Sequence, residues 1–280
     1  MEVGDVVKGN RTNYEVVKNF NIGRSGVEHY LVISNGDSFF LKRYLEEREN
    51  SDFVHETSFF EGVNGSQHPN IIYPSEVIPR TRDMIFPYMD GGCLGKFYGD
   101  RRLLAIDSIG SVVENIGSAL SSLHEREMVH LDVKLDNMLF RNQDLHFIDG
   151  RIYNMDGEIF LIDFGCVQEI GYQSGGLAFG SPYTISPEML RGRTVDQRSD
   201  IYGLAASVYE MISGDIAYAD SNIRKMLEDV VFADVPRIEV GIREGVTKEM
   251  SDLICFSMAK NPNERPESVD DFVKFFRQAM

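Results

Sequence analysis

The sequence predicts an α+β chain of two unequal lobes, and three observations carry that prediction. The first third holds short runs rich in valine, isoleucine, tyrosine and phenylalanine, separated by turn residues. Beyond residue 100 the apolar positions recur at helical spacing instead. Between the two, residues 84–90 run extended into Gly91-Gly92, which reads as a hinge. The expected organisation is one domain over 1–280: a small antiparallel β-sheet N-lobe with one main helix (about 1–87), a hinge (about 87–92) and a larger, mainly α-helical C-lobe (about 93–280).

Taken in order, residues 14–17 and 28–33 are strands flanking a loop with two glycines. Asn35-Gly36-Asp37 is a hairpin signal before a third strand over 38–42. Phe53, Val54, Phe59, Phe60 and Val63 suit a helix over 52–63, with Ser51 or Asp52 as its N-cap. Ile109, Val112, Val113, Ile116, Leu120 and Leu123 mark one face of a helix that leads directly to residue 130. Later helices are expected at 198–213, 247–259 and 268–279. No repeat or low-complexity tract interrupts the pattern.

With 280 residues, 42% of them hydrophobic, the chain can bury one large core or two smaller ones. Lys and Arg total 28 against 44 Asp and Glu, a net charge of −16. Phosphate backbones and anionic headgroups would be repelled, so neither nucleic acid nor membrane is an expected partner. Cys93, Cys166 and Cys255 are widely spaced and contain no C-x-x-C pair, which argues against a disulfide framework or a structural zinc site. Cys166 reads as a small apolar residue. The first residues lack a basic region and an apolar core, and no apolar run approaches the roughly 20 residues that span a bilayer. A cytoplasmic location is expected.

The chemistry concentrates in His130-Leu131-Asp132-Val133-Lys134-Leu135-Asp136-Asn137 and in Asp163-Phe164-Gly165. Phosphoryl transfer from a nucleotide needs a carboxylate to receive a hydroxyl proton, a cation to offset phosphoryl charge, and oxygen ligands for magnesium. Asp132, Lys134, Asn137 and Asp163 supply these in that order. The two segments resemble the catalytic loop and metal loop of eukaryotic-type protein kinases, H-R-D-L-x-x-x-N and D-F-G. Leu131 stands where that family has arginine. The resemblance extends over about residues 14–280 and implies a bilobal protein-kinase-like fold, ATP as phosphate donor, and Mg2+ (or Mn2+) as the metal.

The remaining site residues follow from the same resemblance. Lys42, at the end of an apolar strand, would hold the α- and β-phosphates, with Glu56 as its helix partner and Glu61 as the fallback. The phosphate-covering loop corresponds to Asn21-Ile22-Gly23-Arg24-Ser25-Gly26, where only Gly23 and Gly26 keep the glycine pattern. Phe86, Pro87 and Met89 correspond to the adenine-binding hinge. Two aspartates compete for the metal, Asp149 and Asp163. Asp163 is chosen because the full triplet follows it and an apolar strand precedes it, which makes 142–157 an inserted hairpin. Ser181 falls where a hydroxyl would bond Asp132 and Lys134. Glu188 and Arg265 correspond to a buried structural ion pair, and Asp200 to the acid that braces the catalytic loop. His130 and Phe164 are structural, while Asp136 and Glu210 fall where some relatives contact basic residues of the substrate.

The implied activity is that of a serine/threonine protein kinase acting on Ser or Thr hydroxyls of a protein substrate, with a basic substrate as the finer expectation. Leucine at 131 cannot pair with a phosphorylated loop, and residues 164–190 contain no lysine or arginine. Activity independent of activation-loop phosphorylation is therefore expected. The degenerate glycine loop keeps a pseudokinase or binding scaffold as the alternative reading. A small-molecule kinase ranks below it, because Lys134 and the Ser186-Pro187-Glu188 segment suit protein kinases.

Overall fold

Alternate residues of the first strands are buried, as expected of a sheet with one covered face. The computed structural model describes residues 1–20, 26–45, 50–63, 67–173, 175 and 180–280. They fall into two compact units, Met1–Met89 and Asp90–Met280.

In the first unit, β1 (Val6–Lys8), β2 (Asn13–Asn19), β3 (Val27–Ser34), β4 (Asp37–Tyr44), β5 (Glu76–Ile78) and β6 (Asp83–Pro87) form one antiparallel sheet. Its strand order is β1-β2-β3-β4-β6-β5. Tyr14, Val16, Tyr30, Val32, Leu41, Ile78 and Ile85 fill the core of the sheet. The β3–β4 turn uses Asn35 (φ 53°) and Gly36 (φ 90°), the left-handed pair that suits a two-residue hairpin. The main helix, α1 (Asn50–Gly62), buries Phe53, Glu56, Phe59 and Phe60. It begins before the expected N-cap. Ser51 and Asp52 thus lie inside the first turn, where the Asp52 carboxylate suits the positive end of the helix dipole.

The second unit is mainly helical. It opens with the two-residue strand β7 (Gly92–Cys93), α2 (Leu94–Gly99) and β8 (Leu103–Leu104). The long α3 (Ile106–His124) buries all six apolar positions that predicted it. After it come β9 (Met128–Val129), β10 (Met138–Phe140), β11 (Leu145–Asp149), β12 (Ile152–Met155), β13 (Phe160–Leu161) and β14 (Gln168–Glu169). Then follow α4 (Pro187–Leu190), α5 (Gln197–Ser213), α6 (Ile223–Phe232), α7 (Lys248–Ser257) and α8 (Val269–Ala279). Side chains set the starts of the later helices: Asp196 accepts from the Arg198 N–H at 2.8 Å and Ser268 from the Asp271 N–H at 3.1 Å. The sequence pattern did not anticipate α2, α4 or α6.

β11 and β12 form the hairpin that the insertion at 142–157 predicts, turning at Gly150 (φ 52°). β12 also pairs in parallel with β8. Ser108 of α3 anchors the hairpin, donating to Asn154 Oδ1 at 2.6 Å and accepting from the Met155 N–H at 2.9 Å. Among the described residues no helix is long and apolar enough to cross a membrane.

Candidate active site

Two clusters of functional side chains form, one in each unit. In the first, strand periodicity puts Lys42 and Tyr44 of β4 on the same face. Lys42 Nζ lies 2.8 Å from Glu56 Oε2, and the Tyr44 hydroxyl donates to that same oxygen. Glu56 is 1% exposed, whereas Glu61 is exposed on the opposite side of the helix, so Glu56 is the partner of Lys42. Phe60, one turn on, is buried and meets Phe86 edge-on with ring centroids 6.0 Å apart. Phe86 and Pro87 end β6 opposite Phe40 and Phe39 of β4, and Met89 is buried just beyond them. Gly26 opens β3 with φ 114°, while Gly23 lies outside the described residues.

In the second unit the 130–137 loop is held from three sides. Asp200, fully buried in the first turn of α5, accepts the N–H groups of His130 and Leu131 at 2.8 Å each. His124 Nε2 lies 2.9 Å from the same carboxylate. These bonds hold Leu131 in the left-handed region (φ 62°), a conformation costing about 1–2 kcal/mol for a residue with a Cβ. The His130 ring then links two loops. Its Nδ1 accepts the Asp132 N–H at 3.3 Å, its Nε2 donates to the Ile162 carbonyl at 3.2 Å, and it packs edge-on against buried Phe164. Because Nδ1 accepts, the proton sits on Nε2.

Asp132 is 2% exposed, and its carboxylate accepts three hydrogen bonds. Lys134 Nζ reaches Oδ2 at 2.7 Å and Asn137 Nδ2 at 3.0 Å, while the Ser181 N–H donates to Oδ1 at 3.0 Å. Charge-assisted bonds of this kind are short and directional and fix the rotamer of the acid. The Ser181 contact corrects the sequence expectation, since the backbone amide of Ser181, rather than its hydroxyl, meets Asp132. The Ser181 hydroxyl instead accepts from the Tyr183 N–H at 3.5 Å.

Asn137 Nδ2 donates also to the Asp132 carbonyl at 2.8 Å, so two bonds of the amide nitrogen go to Asp132 and fix the orientation of the amide. The Ile162 N–H bonds the Asn137 carbonyl at 3.0 Å, and β10 pairs with β13, so Asn137 and Asp163 leave neighbouring strands. Asp163 has φ 66° and ψ 76°, a conformation aspartate tolerates better than most residues. Asp149 is exposed at the end of β11 and takes part in none of these bonds. An amide oxygen and a carboxylate are hard donors of the kind magnesium takes alongside phosphate oxygens. Among the described residues no group of three His, Cys, Asp or Glu side chains could hold a metal on its own.

Glu188 and Arg265 form a bidentate, buried pair at 2.8 Å and 2.8 Å, and Ser199 adds a 2.7 Å bond to Glu188. Burial alone would raise the Glu188 pKa, but the guanidinium and the hydroxyl together hold it below the ordinary range. Glu210 is pushed up to about 7, by burial first and then by the charges of Asp136 and Asp215. Asp136 is seated against the start of α2, where its Oδ1 lies 3.9 Å from Cys93 Sγ and a Cβ at Gly95 would overlap it.

Leu131 is 5% exposed and sits in an apolar cluster with Val129, Ile185, Met189 and Val195. Cys166 and Tyr172 pack beside that cluster, consistent with an apolar role for Cys166. Sequence reasoning missed Tyr44 and Gly95. Strand alternation two residues after Lys42 was the signal for Tyr44; Gly95 left none.

A carboxylate held by an ammonium and an amide, with a second acid just beyond the paired strand β13, is the arrangement of a phosphoryl-transfer class of site. Residues 14–274 match the family model described as "Protein kinase domain", and the chain belongs to that family. It is similar to the serine/threonine-protein kinase PknL of Mycobacterium tuberculosis, 27% identical over 185 residues, covering 65% of this chain and 43% of PknL. The serine/threonine-protein kinase ULK3 of Homo sapiens is 27% identical over 214 residues, covering 75% of this chain and 42% of ULK3. For the serine/threonine-protein kinase Pkn1 of Myxococcus xanthus the identity is 27% over 218 residues, covering 75% and 29%. The chain thus spans less than half the length of these curated relatives.

Proposed function

We propose that this chain transfers the γ-phosphate of ATP to Ser or Thr hydroxyls of a protein substrate, without requiring a phosphorylated activation loop. The Asp132 arrangement carries the reading. One oxygen faces Lys134 and Asn137 and the other the Ser181 amide, so the acid is oriented before any substrate arrives. Asp132 would orient the acceptor hydroxyl and take its proton, Lys134 would offset charge on the moving phosphoryl group, and Lys42 would engage the α- and β-phosphates. A bound divalent cation supplies charge neutralisation on the phosphates, and Asn137 and Asp163 are the residues that would hold it. Most of the rate would come from positioning and electrostatics.

Leu131 supports independence from phosphorylation. It fills with apolar packing the place from which an arginine would reach a phosphate, and the cluster already ties the loop to Ile185 and Met189. The acids Asp136 and Glu210 support a preference for basic substrates.

Radiolabelled ATP with a generic basic protein tests the reading, comparing wild type with Asp132→Ala, Asp163→Ala and Asp149→Ala. Transfer to serine and threonine is expected from wild type and Asp149→Ala, and from neither of the others. Removing an essential acid of this kind lowers the rate by about 10²-fold or more. Nucleotide binding without Asp132-dependent incorporation would replace the proposal with a pseudokinase.

A further inference from the structure

We propose that Tyr44 is a positioning residue for the nucleotide-binding lysine, fixing both ends of the Lys42–Glu56 pair. The proposal rests on the reading that Lys42 engages nucleotide phosphates. Lys42 and Tyr44 project from the same face of β4, and both reach Glu56 Oε2 of α1. The Lys42 ammonium also lies beside the Tyr44 ring, 5.3 Å from its centroid. Lysine and phenol therefore converge as donors on one carboxylate oxygen.

Each link has a consequence. An ammonium carries three N–H donors. One is turned to Glu56, and the Tyr44 ring beside the ammonium restricts where the lysine chain can swing. Glu56, for its part, keeps a neutral donor when the ammonium turns toward phosphate, so α1 stays anchored to β4 through the catalytic cycle. The phenol itself is rigid. Tyr44 is 3% exposed, its ring meets Phe53 of α1 edge-on with centroids 5.6 Å apart, and Lys42 Nζ lies 5.3 Å from its centroid. A tyrosine holds this geometry with only two side-chain torsions to order. A lysine–glutamate pair alone would leave two flexible side chains to find each other, at an entropic cost met again at each binding event.

The inference separates hydroxyl from ring, and Tyr44→Phe in the full chain does the same. Mg·ATP affinity by titration calorimetry, with kcat and KM for ATP, should show about 3- to 10-fold weaker binding, the size of an ordinary net hydrogen bond felt indirectly through Glu56. Most of the loss should appear in KM rather than kcat, because the acceptor side at Asp132 is untouched. The thermal midpoint should stay within about 2 °C, since the ring and its packing remain. Repeating the change in a Glu56→Gln background should shrink the loss to less than about 2-fold, because groups acting as one unit are not additive.

Wild-type affinity in Tyr44→Phe would overturn the proposal. So would an equal loss in both backgrounds, which would assign Tyr44 an effect that bypasses Glu56. Wild-type protein that binds Mg·ATP with this Tyr44 dependence but transfers no phosphate would remove the kinase activity and leave the positioning role standing. Failure of wild type to bind nucleotide would overturn both.

Discussion

A guanidinium at position 131 would have to enter a space now filled by Val129, Ile185, Met189 and Val195. Leu131→Arg therefore restores the family residue while breaking this molecule's packing. The charge would be desolvated among apolar side chains, and the left-handed backbone at φ 62° would remain to be held. The expected cost is about 2–4 kcal/mol, at the level of a buried group without its partner. Urea unfolding of the variant against wild type measures it, with an unchanged slope and a lower midpoint as the expected pattern. An unchanged midpoint would mean that the guanidinium escapes to solvent and that the cluster contributes little. Leu131 joins the catalytic loop to α4 through its packing against Ile185 and Met189.

Elements differ in how openly the sequence declares them. The face of α3 was legible because Ile109, Val112, Val113, Ile116, Leu120 and Leu123 all point inward and nothing else competes. Helix α6 was not, since only Met226 and Val230 are buried while Ile223 and Phe232 face solvent, Phe232 at 79% exposure. Helical spacing is present at Ile223, Met226, Leu227 and Val230, but it extends over only ten residues. The site divides the same way. Side-chain chemistry such as Lys42–Glu56 and Glu188–Arg265 could be read from residue types in order along the chain. The Ser181 contact could not, because a backbone amide is present at nearly every position and only its direction matters.

Gly95 belongs with that second group. Its missing Cβ lets α2 approach the Asp136 carboxylate, so Gly95→Ala should push Asp136 aside. If Asp136 and Glu210 receive basic side chains, that variant raises KM for an arginine-containing peptide about 3- to 10-fold, the value of one exposed to half-buried ion pair, and leaves KM for ATP unchanged. The same acids predict a pH dependence. Glu210, facing Asp136, Asp215 and Tyr98, titrates at about 7, so it is neutral below that pH and charged above it. Peptide KM should therefore fall as pH rises from about 6 to about 8 in wild type and stay flat in Glu210→Gln. A flat wild-type profile would remove Glu210 from the recognition surface.

At the scale of the whole molecule, the net charge of −16 and the apolar joint at Leu131 bear on regulation together. Added phosphate would find no basic residue between 164 and 190 to pair with, and it would add negative charge to a chain already rich in it. Phosphorylation would have to order the loop against that repulsion, while Leu131, Ile185 and Met189 already hold its far end. Protein treated with a phosphatase, and shown by mass spectrometry to carry no phosphate, should keep its initial rate within about 2-fold, where a phosphorylation-gated kinase loses its ordered loop. Ser174→Ala, Ser181→Ala and Thr184→Ala should each behave likewise. Ser181→Ala is the sharpest of the three, because it deletes the hydroxyl and keeps the amide that Asp132 accepts. Ser181→Pro removes that N–H and should cost about 10-fold or more in kcat, as expected for a lost bond to a buried carboxylate. A serine or threonine whose loss silences the enzyme, and whose replacement by glutamate revives it, would show that a phosphate is read here by some route other than the arginine this chain lacks.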